Sequence, residues 1–440
     1  MKKFLAILLG AIFVLSFAAS AFAIHAEIPS ETQAVVAKGT TQISIDGELR
    51  TRGWYLHNIT SDRSPADAGS ASYYDERVRL AVDAKVTPNV EGYIQLESGS
   101  GAHDVYTWGN FNAKPGASPD FLQAWILYSG QGLFGFPSGL KIGHMPLYLG
   151  QKEFFDHSKF GDDAIVFFML PTKELEIDLL TIKFAGDGQS TVALPELGIP
   201  AGALNGSKFV QTDDLDGYVG ILTYKMDANN TFGLNYTYLN LPAATFSHQD
   251  LGLTAQGNIA GLGYGATLDI QFGKVGDAKF KGWAAQAGVS YMMDPVNLRA
   301  KIAYGSGNDS DSGDIKQFVT YLGSDQHYTL VYDYNVITTA GSTATGLSNT
   351  TYYNLGADFT ATKDLKASLD GYVIRASKTA DGVSKDAGWE LDGRISYNLA
   401  KNLTYVVDAG YFKAGSFYED MSMGDKKGAT VLKHTLTLSF

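Results

Sequence analysis

Two segments near the amino-terminal end of the chain alternate charged residues with apolar residues. The charged members are Asp46, Glu48, Arg50 and Arg52 in the first segment, and Asp75, Arg77, Arg79 and Asp83 in the second. Charges that line a narrow aqueous passage focus the field between low-dielectric walls and set which ions pass. The same pattern also suits cross-strand ion pairs that hold a sheet together. The sequence leaves both interpretations open.

Charged residues with the same alternation recur later in the chain. They are Asp269, Arg299, Lys301 and Arg394. Arg299 and Lys301 form a basic pair that Gln286 and Asp269 flank on the same predicted face. We expect these residues to line the same wet interior as the first set.

Residues 153–168 are the candidate for a constriction, because this stretch is rich in Phe, Asp and Gly. If it folds inward, its charged residues narrow the passage and filter what enters. Those residues are Asp156, His157, Lys159, Asp162 and Asp163. The alternative is an ordinary exposed loop.

A run of acids between Asn308 and Asp314 could supply hard oxygen ligands to calcium. The candidate ligands are Asp309, Asp311 and Asp314. The run departs from the EF-hand register, because its Gly stands one place early and Thr320 occupies the position of the bidentate Glu. Calcium binding is therefore a hypothesis, and no cofactor is predicted.

Motifs of the common enzyme classes are missing from the sequence. It contains no H-E-x-x-H, G-x-S-x-G or P-loop pattern, and no helix is predicted after Gly261-x-Gly263-x-Gly265. We therefore expect no enzymatic activity. Four of the eight His fall in predicted loops, so a barrel hydrolase remains an alternative. The net charge of −12 argues against a nucleic-acid partner.

The amino-terminal residues 1–23 have the marks of a cleaved signal peptide. Lys2 and Lys3 precede an apolar core, and Ala21-Phe22-Ala23 is a small-x-small cleavage site. We interpret residues 24–41 as a short periplasmic tail and 42–440 as one barrel. The chain has no Cys, which excludes disulfides, thiolate metal sites and covalently attached haem.

The last twelve residues, 429–440, alternate an apolar face with a mostly polar one and end in Phe440. This is the pattern of a strand whose final aromatic residue lies at a membrane interface. Similar alternation recurs in about eighteen segments. The connections between them alternate in length, with tight turns such as 87–89 and long ones such as 306–350. That last connection could include strand pieces, for instance at 327–336.

These observations predict an all-β fold, a transmembrane antiparallel β-barrel of about 18 strands with short periplasmic turns and long extracellular loops. In such a barrel the apolar face of each strand contacts lipid and the charged face lines water. A soluble all-β protein would reverse this arrangement and bury the apolar faces together.

The stretch 250–313 carries the most distinctive order of motifs. It contains Gln-Phe-Gly at 271–273, Gly-Trp-Ala-Ala-Gln at 282–286 and Ser-Gly-Asn-Asp at 306–309. This order resembles the outer-membrane porins of the alginate-export family, and the resemblance implies an eighteen-stranded barrel with an aqueous lumen. It does not extend to the substrate, because the predicted inward acids and bases are nearly balanced, whereas export of a polyanion calls for a strongly basic lumen.

We therefore predict an outer-membrane porin of a Gram-negative cell that gives passive diffusion of small hydrophilic solutes or ions. The expected partners are outer-membrane lipid and lipopolysaccharide, with a homo-oligomer or a periplasmic protein as further options. The alternative function is a barrel that sheathes a secreted partner, such as a multihaem cytochrome that conducts electrons.

Overall fold

The computed structural model describes residues 36–38, 41–59, 65–99, 105–109, 118–132, 135–185, 191–193, 209–211, 215–242, 245–308, 313–320, 328–424 and 426–440. The predicted signal peptide and most of the predicted periplasmic tail lie outside these residues.

Eighteen long strands form one antiparallel sheet. They are β1 (Thr41–Ile59), β2 (Pro65–Thr87), β3 (Val90–Gly99), β4 (Ser118–Gln131), β5 (Pro137–Met145), β6 (Asp162–Met169), β7 (Leu175–Ala185), β8 (Leu215–Asp227), β9 (Asn230–Leu241), β10 (Phe246–Ile259), β11 (Leu262–Val275), β12 (Trp283–Met293), β13 (Val296–Gly305), β14 (Thr350–Thr360), β15 (Leu365–Ala376), β16 (Asp386–Ala400), β17 (Leu403–Ala414) and β18 (Gly428–Ser439). Short strands at Val36–Lys38, Tyr106–Thr107 and Ala278–Lys279 extend the sheet, and Thr191–Ala193 pairs separately with Phe209–Gln211.

The sheet closes on itself because β18 pairs with both β17 and β1. Leu49 lies opposite Leu438, and the backbone amides and carbonyls of Gly47 and Phe440 exchange two hydrogen bonds at 2.7 and 3.0 Å. A closed barrel has no free sheet edge, which a membrane requires. The predicted fold class and the eighteen strands are confirmed.

The closing seam depends on a glycine. A Cβ atom at Gly47 would lie 2.3 Å from Cζ of Phe440, so any larger residue would displace the terminal ring. The missing side chain therefore leaves room for this ring beside Gly47 at the seam.

The strands bury their polar faces and expose their apolar faces. Leu355 on β14 is 72% exposed, and Leu369 and Ile395 on the next two strands are also exposed. On the alternate positions, Asp46, Asp75 and Asp408 are buried inside the barrel. The period of two in the sequence therefore places the apolar side chains outside, as lipid contact requires.

One end of the barrel has tight turns and the other has long connections. The tight turns include Pro88–Asn89 and Lys401–Asn402. Two short helices lie in long connections, α1 (Tyr332–Asn335) and α2 (Ser416–Asp420). The strand piece suggested at 327–336 is wrong for the described residues 328–336, because they form bends and α1 rather than a strand. In the part of the chain that the structure describes, no helix is long and apolar enough to cross a membrane.

Candidate functional site

The first charged set lies on the inner faces of β1 and β2, where Arg52, Arg77 and Arg79 each meet a carboxylate. Arg52 donates to both oxygens of Asp75 at 2.7 and 3.0 Å. Arg77 donates to Glu48 at 2.6 Å, and Arg79 donates to Glu97 on β3. The predicted arginine ladder is thus bound into the wall by ion pairs, although its side chains stay partly open to the lumen.

Three further members of this set complete the inner faces. Arg50 lies opposite Arg77 in the strand register and is partly buried. Asp46 is buried within electrostatic reach of Asp83, whose carboxylate lies 3.7 Å from the Lys85 ammonium. Glu97 was not among the predicted site residues, although its alternation with Leu96 and Ile94 on β3 identifies the inner face.

In the second charged set, Arg299 and Lys301 lie on β13, Arg394 lies on β16, and Asp269 lies apart from them on β11. Arg299 contacts two carboxylates, Asp358 and Asp370, and Arg394 donates to Asp408 at 2.5 Å. Asp358 was missed from the sequence, although the exposed Leu355 and Phe359 on the opposite face of β14 place it inward. The structure therefore brings Arg299 and Arg394 onto one side of the barrel, several strands from Asp269 on β11.

Residues 146–161, here called the first inward segment, cross the lumen. They connect β5 to β6 but contact β11 and β12, about a third of the way round the barrel. Gln151 donates to the carbonyl of Ala266 on β11 at 3.3 Å, and Gln286 on β12 donates to the Glu153 carboxylate at 2.5 Å. The expected constriction spanned 153–168. The strand β6 already begins at Asp162, so the crossing part lies earlier in the chain.

The five predicted constriction residues occupy different environments. Asp156 is fully buried and lies 3.3 Å from Lys152, and His157 is buried with its Nδ1 2.5 Å from Asp162. Lys159 lies over the ring of Phe160 within the segment. These side chains fix the shape of the segment more than they line an opening.

Asp163 does not line the lumen, contrary to the prediction. Its side chain is 73% exposed on the outer face of β6, where it lies 2.9 Å from Nδ1 of His144. The alternation that turns Asp162 inward turns Asp163 outward together with Ile165.

The connection between β13 and β14 also enters the lumen. Two of its described parts, residues 313–320 and 328–349, are here called the second inward segment. The amides of Val331 and Tyr332 donate to the two oxygens of Glu390 at 2.6 and 2.8 Å. Tyr334 stacks on Trp54 of β1 with ring centroids 5.7 Å apart. The sequence did not predict this segment as part of the site.

The two inward segments touch each other. The hydroxyl of Thr320 donates to the backbone carbonyl of Glu153 at 3.3 Å. Together they occupy much of the lumen on the side of the long connections. The charged inner faces nearer the tight turns are left uncovered. The arrangement can restrict passage by size and expose passing solutes to charge.

The calcium candidates remain a hypothesis. Asp309 and Asp311 lie outside the described residues, and Asp314 pairs with Lys281 at 2.6 Å. Hydrogen bonding from Lys281 lowers the pKa of Asp314, because it stabilises the ionised carboxylate. Among the described residues, no cluster of His, Asp or Glu is arranged to hold a metal ion.

Histidines do not converge on a catalytic arrangement in the described part of the chain. His157 is packed beneath Phe155 and Phe184, and His248 lies between Phe154 and Phe280. His103 lies outside the described residues.

Glu153 makes the position of the first inward segment sensitive to pH. Burial raises the pKa of this carboxyl from 4.5 to about 7, and the nearby Lys301 ammonium and the Gln286 hydrogen bond act in the opposite direction. Asp269 on β11 and the hydroxyl of Tyr352 on β14 also face it. Docking the segment therefore takes up a proton between pH 4.5 and about 7. The docked state weakens as pH rises through this window.

We expect backbone amides of residues 147–157 to lose protection between pH 6 and pH 8, by about tenfold. The measurement is hydrogen exchange in detergent micelles, corrected for the intrinsic effect of pH on exchange. Glu153→Gln is the matched control and should show equal protection at both values. An undiminished pH dependence in that variant would assign the effect to Asp269 or another neighbour.

A family model and solved structures relate the chain to known proteins. A family model described as alginate export matches residues 207–430. The crystal structure of Pseudomonas aeruginosa OccK2 (OpdF) in complex with glucuronate is similar, with a TM-score of 0.58 and 14% identity over 90% of this chain and 98% of that chain. The crystal structure of P. aeruginosa OccK11 (OpdR) is also similar, with a TM-score of 0.56 and 13% identity over 90% of this chain and 96% of that chain. A search of curated proteins found no match. At these identities, the structural likeness concerns the fold.

Proposed function

Because this chain belongs to the alginate-export family of outer-membrane porins, we propose that it is a passive channel for small hydrophilic solutes or ions. The observation that carries the proposal is a closed barrel with an apolar outside, a charged inside and a first inward segment that crosses the lumen. A barrel with lipid-facing leucines and lumen-facing ion pairs separates a wet interior from the membrane. No energy source or cofactor is needed for diffusion down a gradient.

The inner wall supports modest discrimination between ions. Arg52, Arg77 and Arg79 each meet a carboxylate, so neither sign of charge dominates that part of the wall. This pairing is unlike the basic surface that a channel for a polyanion such as alginate requires. Small solutes of mixed character therefore suit the lumen better than a long acidic polymer.

A sheath for a secreted protein partner is the second candidate. Such a partner needs a wide, unobstructed lumen, whereas the two inward segments pack against the inner walls through buried contacts such as Glu153 to Gln286 and Tyr332 to Glu390. Displacing both segments would break these contacts. The channel is therefore the better-supported function, and the fold supports transport rather than catalysis.

Purified protein in a planar bilayer should give stepwise increases in conductance. We expect a small reversal potential in a potassium chloride gradient, because the wall charges are paired. Arg77→Gln should shift selectivity toward cations, since it leaves the Glu48 carboxylate without its 2.6 Å partner. Arg375→Gln, an exposed change on the outer face, is the matched control. Absence of any steps from correctly folded protein would refute the channel.

We also propose that cleavage after Ala23 releases the chain into the periplasm and that Ile24 begins the mature protein. Sequencing the amino terminus of protein isolated from outer membranes tests this. Outer-membrane lipid and lipopolysaccharide are the expected neighbours of the exposed apolar face.

A further inference from the structure

A row of inward side chains crosses five neighbouring strands, β14 to β18. Strand register places Asp358 opposite Ser368, and Ser368 opposite Arg394. It then places Arg394 opposite Asp408, and Asp408 opposite Lys433. Since directly opposed residues share one face of a sheet, these side chains form a continuous line across the inner wall.

At the first end of this row, two carboxylates flank the Arg299 guanidinium, and the buried Lys301 ammonium lies near Asp370. The Arg299 guanidinium makes four hydrogen bonds of 2.9 to 3.0 Å, two to Asp358 and two to Asp370, so two carboxylates share one cation. Asn297 and Asn354 donate further hydrogen bonds to the same carboxylates at 3.1 Å. The Asp358 side chain is 37% exposed, and it is therefore accessible from the lumen.

At the other end of the row, two cations flank the Asp408 carboxylate, and the Asp392 carboxylate lies next along the same face of β16. The Asp408 carboxylate accepts a hydrogen bond from Arg394 Nε at 2.5 Å and lies 3.1 Å from Lys433 Nζ, so two cations share one carboxylate. The Arg394 side chain is 59% exposed, while that of Asp408 is buried. The remaining donors of the guanidinium are thus turned to solvent.

The row lies beside the narrowed part of the lumen. Asp392, two residues from Arg394 on the same face of β16, accepts a hydrogen bond from the Leu330 amide of the second inward segment at 3.0 Å. Lys433 lies opposite Trp54, on which Tyr334 of the same segment stacks. A solute that passes the second inward segment therefore meets this row.

We propose that the row is a binding subsite for compact zwitterionic solutes such as free amino acids, a step that rests on the proposed channel function. The ammonium group lies beside Asp358 and the carboxylate group beside Arg394, with the Ser368 hydroxyl between them. Strands are spaced by about 4.8 Å, so the backbones that carry the two charged residues are about 10 Å apart, and their side chains reach toward the same solute.

The charge order selects against solutes with one sign of charge. An anion gains from Arg394 but meets the carboxylates of Asp358 and Asp370. A cation gains from those carboxylates but meets Arg394 and Lys433. A zwitterion in one orientation satisfies both ends, and this complementarity distinguishes it from either ion.

Proteoliposome swelling tests the subsite with four solutes of one size: serine, glycerate, serinol and glycerol. They share a three-carbon skeleton and are respectively zwitterionic, anionic, cationic and neutral. We expect serine to enter about threefold faster than each of the others, the change expected for one solvent-exposed ion pair. Equal entry of serine and glycerol would overturn the subsite. Wild-type conductance in potassium chloride, measured on the same preparation, tests the channel separately.

Variants that replace one charged side chain by a neutral one test which residues cause the preference for serine. Asp358→Asn and Arg394→Gln should each abolish the preference for serine and shift ion selectivity in opposite directions. The double variant should restore the wild-type reversal potential without restoring the preference. Lys366→Gln is the matched control, because this exposed lysine shares the inner face of β15 but lies outside the row. A loss of serine preference in this control equal to that in Arg394→Gln would contradict the proposal.

Both substituted side chains are partly exposed, so the variant barrels should fold. Gel electrophoresis in detergent without heating checks this, because a folded barrel resists unfolding under these conditions. Serine-induced current noise in single channels gives an independent measure. It should be present in the wild type and in Lys366→Gln, and absent from Asp358→Asn.

Discussion

Replacing residues 148–156 by a short Gly-Ser linker should raise the unitary conductance at least about twofold, because conductance through a wet pore increases with its open cross-section. This part of the first inward segment carries the contacts that cross the lumen, Gln151 to Ala266 and Glu153 to Gln286. It also carries Phe154 and Phe155, which are buried within the barrel. Planar-bilayer recordings in potassium chloride measure the effect.

A matched shortening on the same end of the barrel provides the control. Residues 379–383, between β15 and β16, form a mostly exposed connection that does not enter the lumen. Its removal should leave the conductance unchanged. If the two deletions give the same conductance as the wild type, the first inward segment does not limit passage. The single change Gln286→Ala tests the same contact without altering chain length, and it should increase switching between conductance levels.

Glu390→Ala should release the second inward segment from β16. The buried carboxylate accepts hydrogen bonds from the amides of Val331 and Tyr332, and alanine leaves both amides without this acceptor. A buried unsatisfied amide costs about 1 to 3 kcal/mol, so losing the acceptor of two amides should weaken the docking of the segment by about 2 to 6 kcal/mol. We expect chymotrypsin to cleave after Tyr332 or Tyr334, whose rings are packed inside the wild-type barrel.

Two variants separate this effect from a general loss of negative charge. Glu390→Gln keeps one oxygen acceptor and should give intermediate cleavage. Glu419→Ala removes an exposed carboxylate that pairs with Lys426 at 2.6 Å, and its cleavage should match the wild type. Mass spectrometry of the fragments identifies the cleavage sites. Equal resistance of Glu390→Ala and the wild type would show that other contacts hold the segment.

The barrel could be predicted because its strands obey a local rule. Alternation with a period of two can be recognised from consecutive residues. Each strand of an antiparallel barrel also pairs with the strands next to it in the sequence. The predicted segments 42–55 and 429–440 therefore correspond to β1 and β18, and their pairing closes the sheet. The same rule placed Arg299 and Arg394 on inner faces, since successive side chains of a strand point to opposite faces of the sheet.

The inward segments could not be predicted by this rule. Val331 and Tyr332 meet Glu390 only after the barrel has closed, because nearly sixty residues separate the partners in the chain. An apolar stretch such as 328–336 has the composition of a strand, and packing inside the lumen turned part of it into α1. Tertiary burial overrides local preference when a segment finds buried hydrogen-bond acceptors for its amides.

The amino-acid sequence was sufficient for the number of strands, their alternation and the inward position of charges such as Arg299 and Arg394, because these depend on neighbours along the chain. The tertiary structure decided which charges meet. It joined Arg299 to two carboxylates, gave Asp408 two cations and brought Glu153 to Gln286 across the lumen. Such partners lie on different strands or on opposite walls, and their distances follow from closure and register rather than from any local pattern.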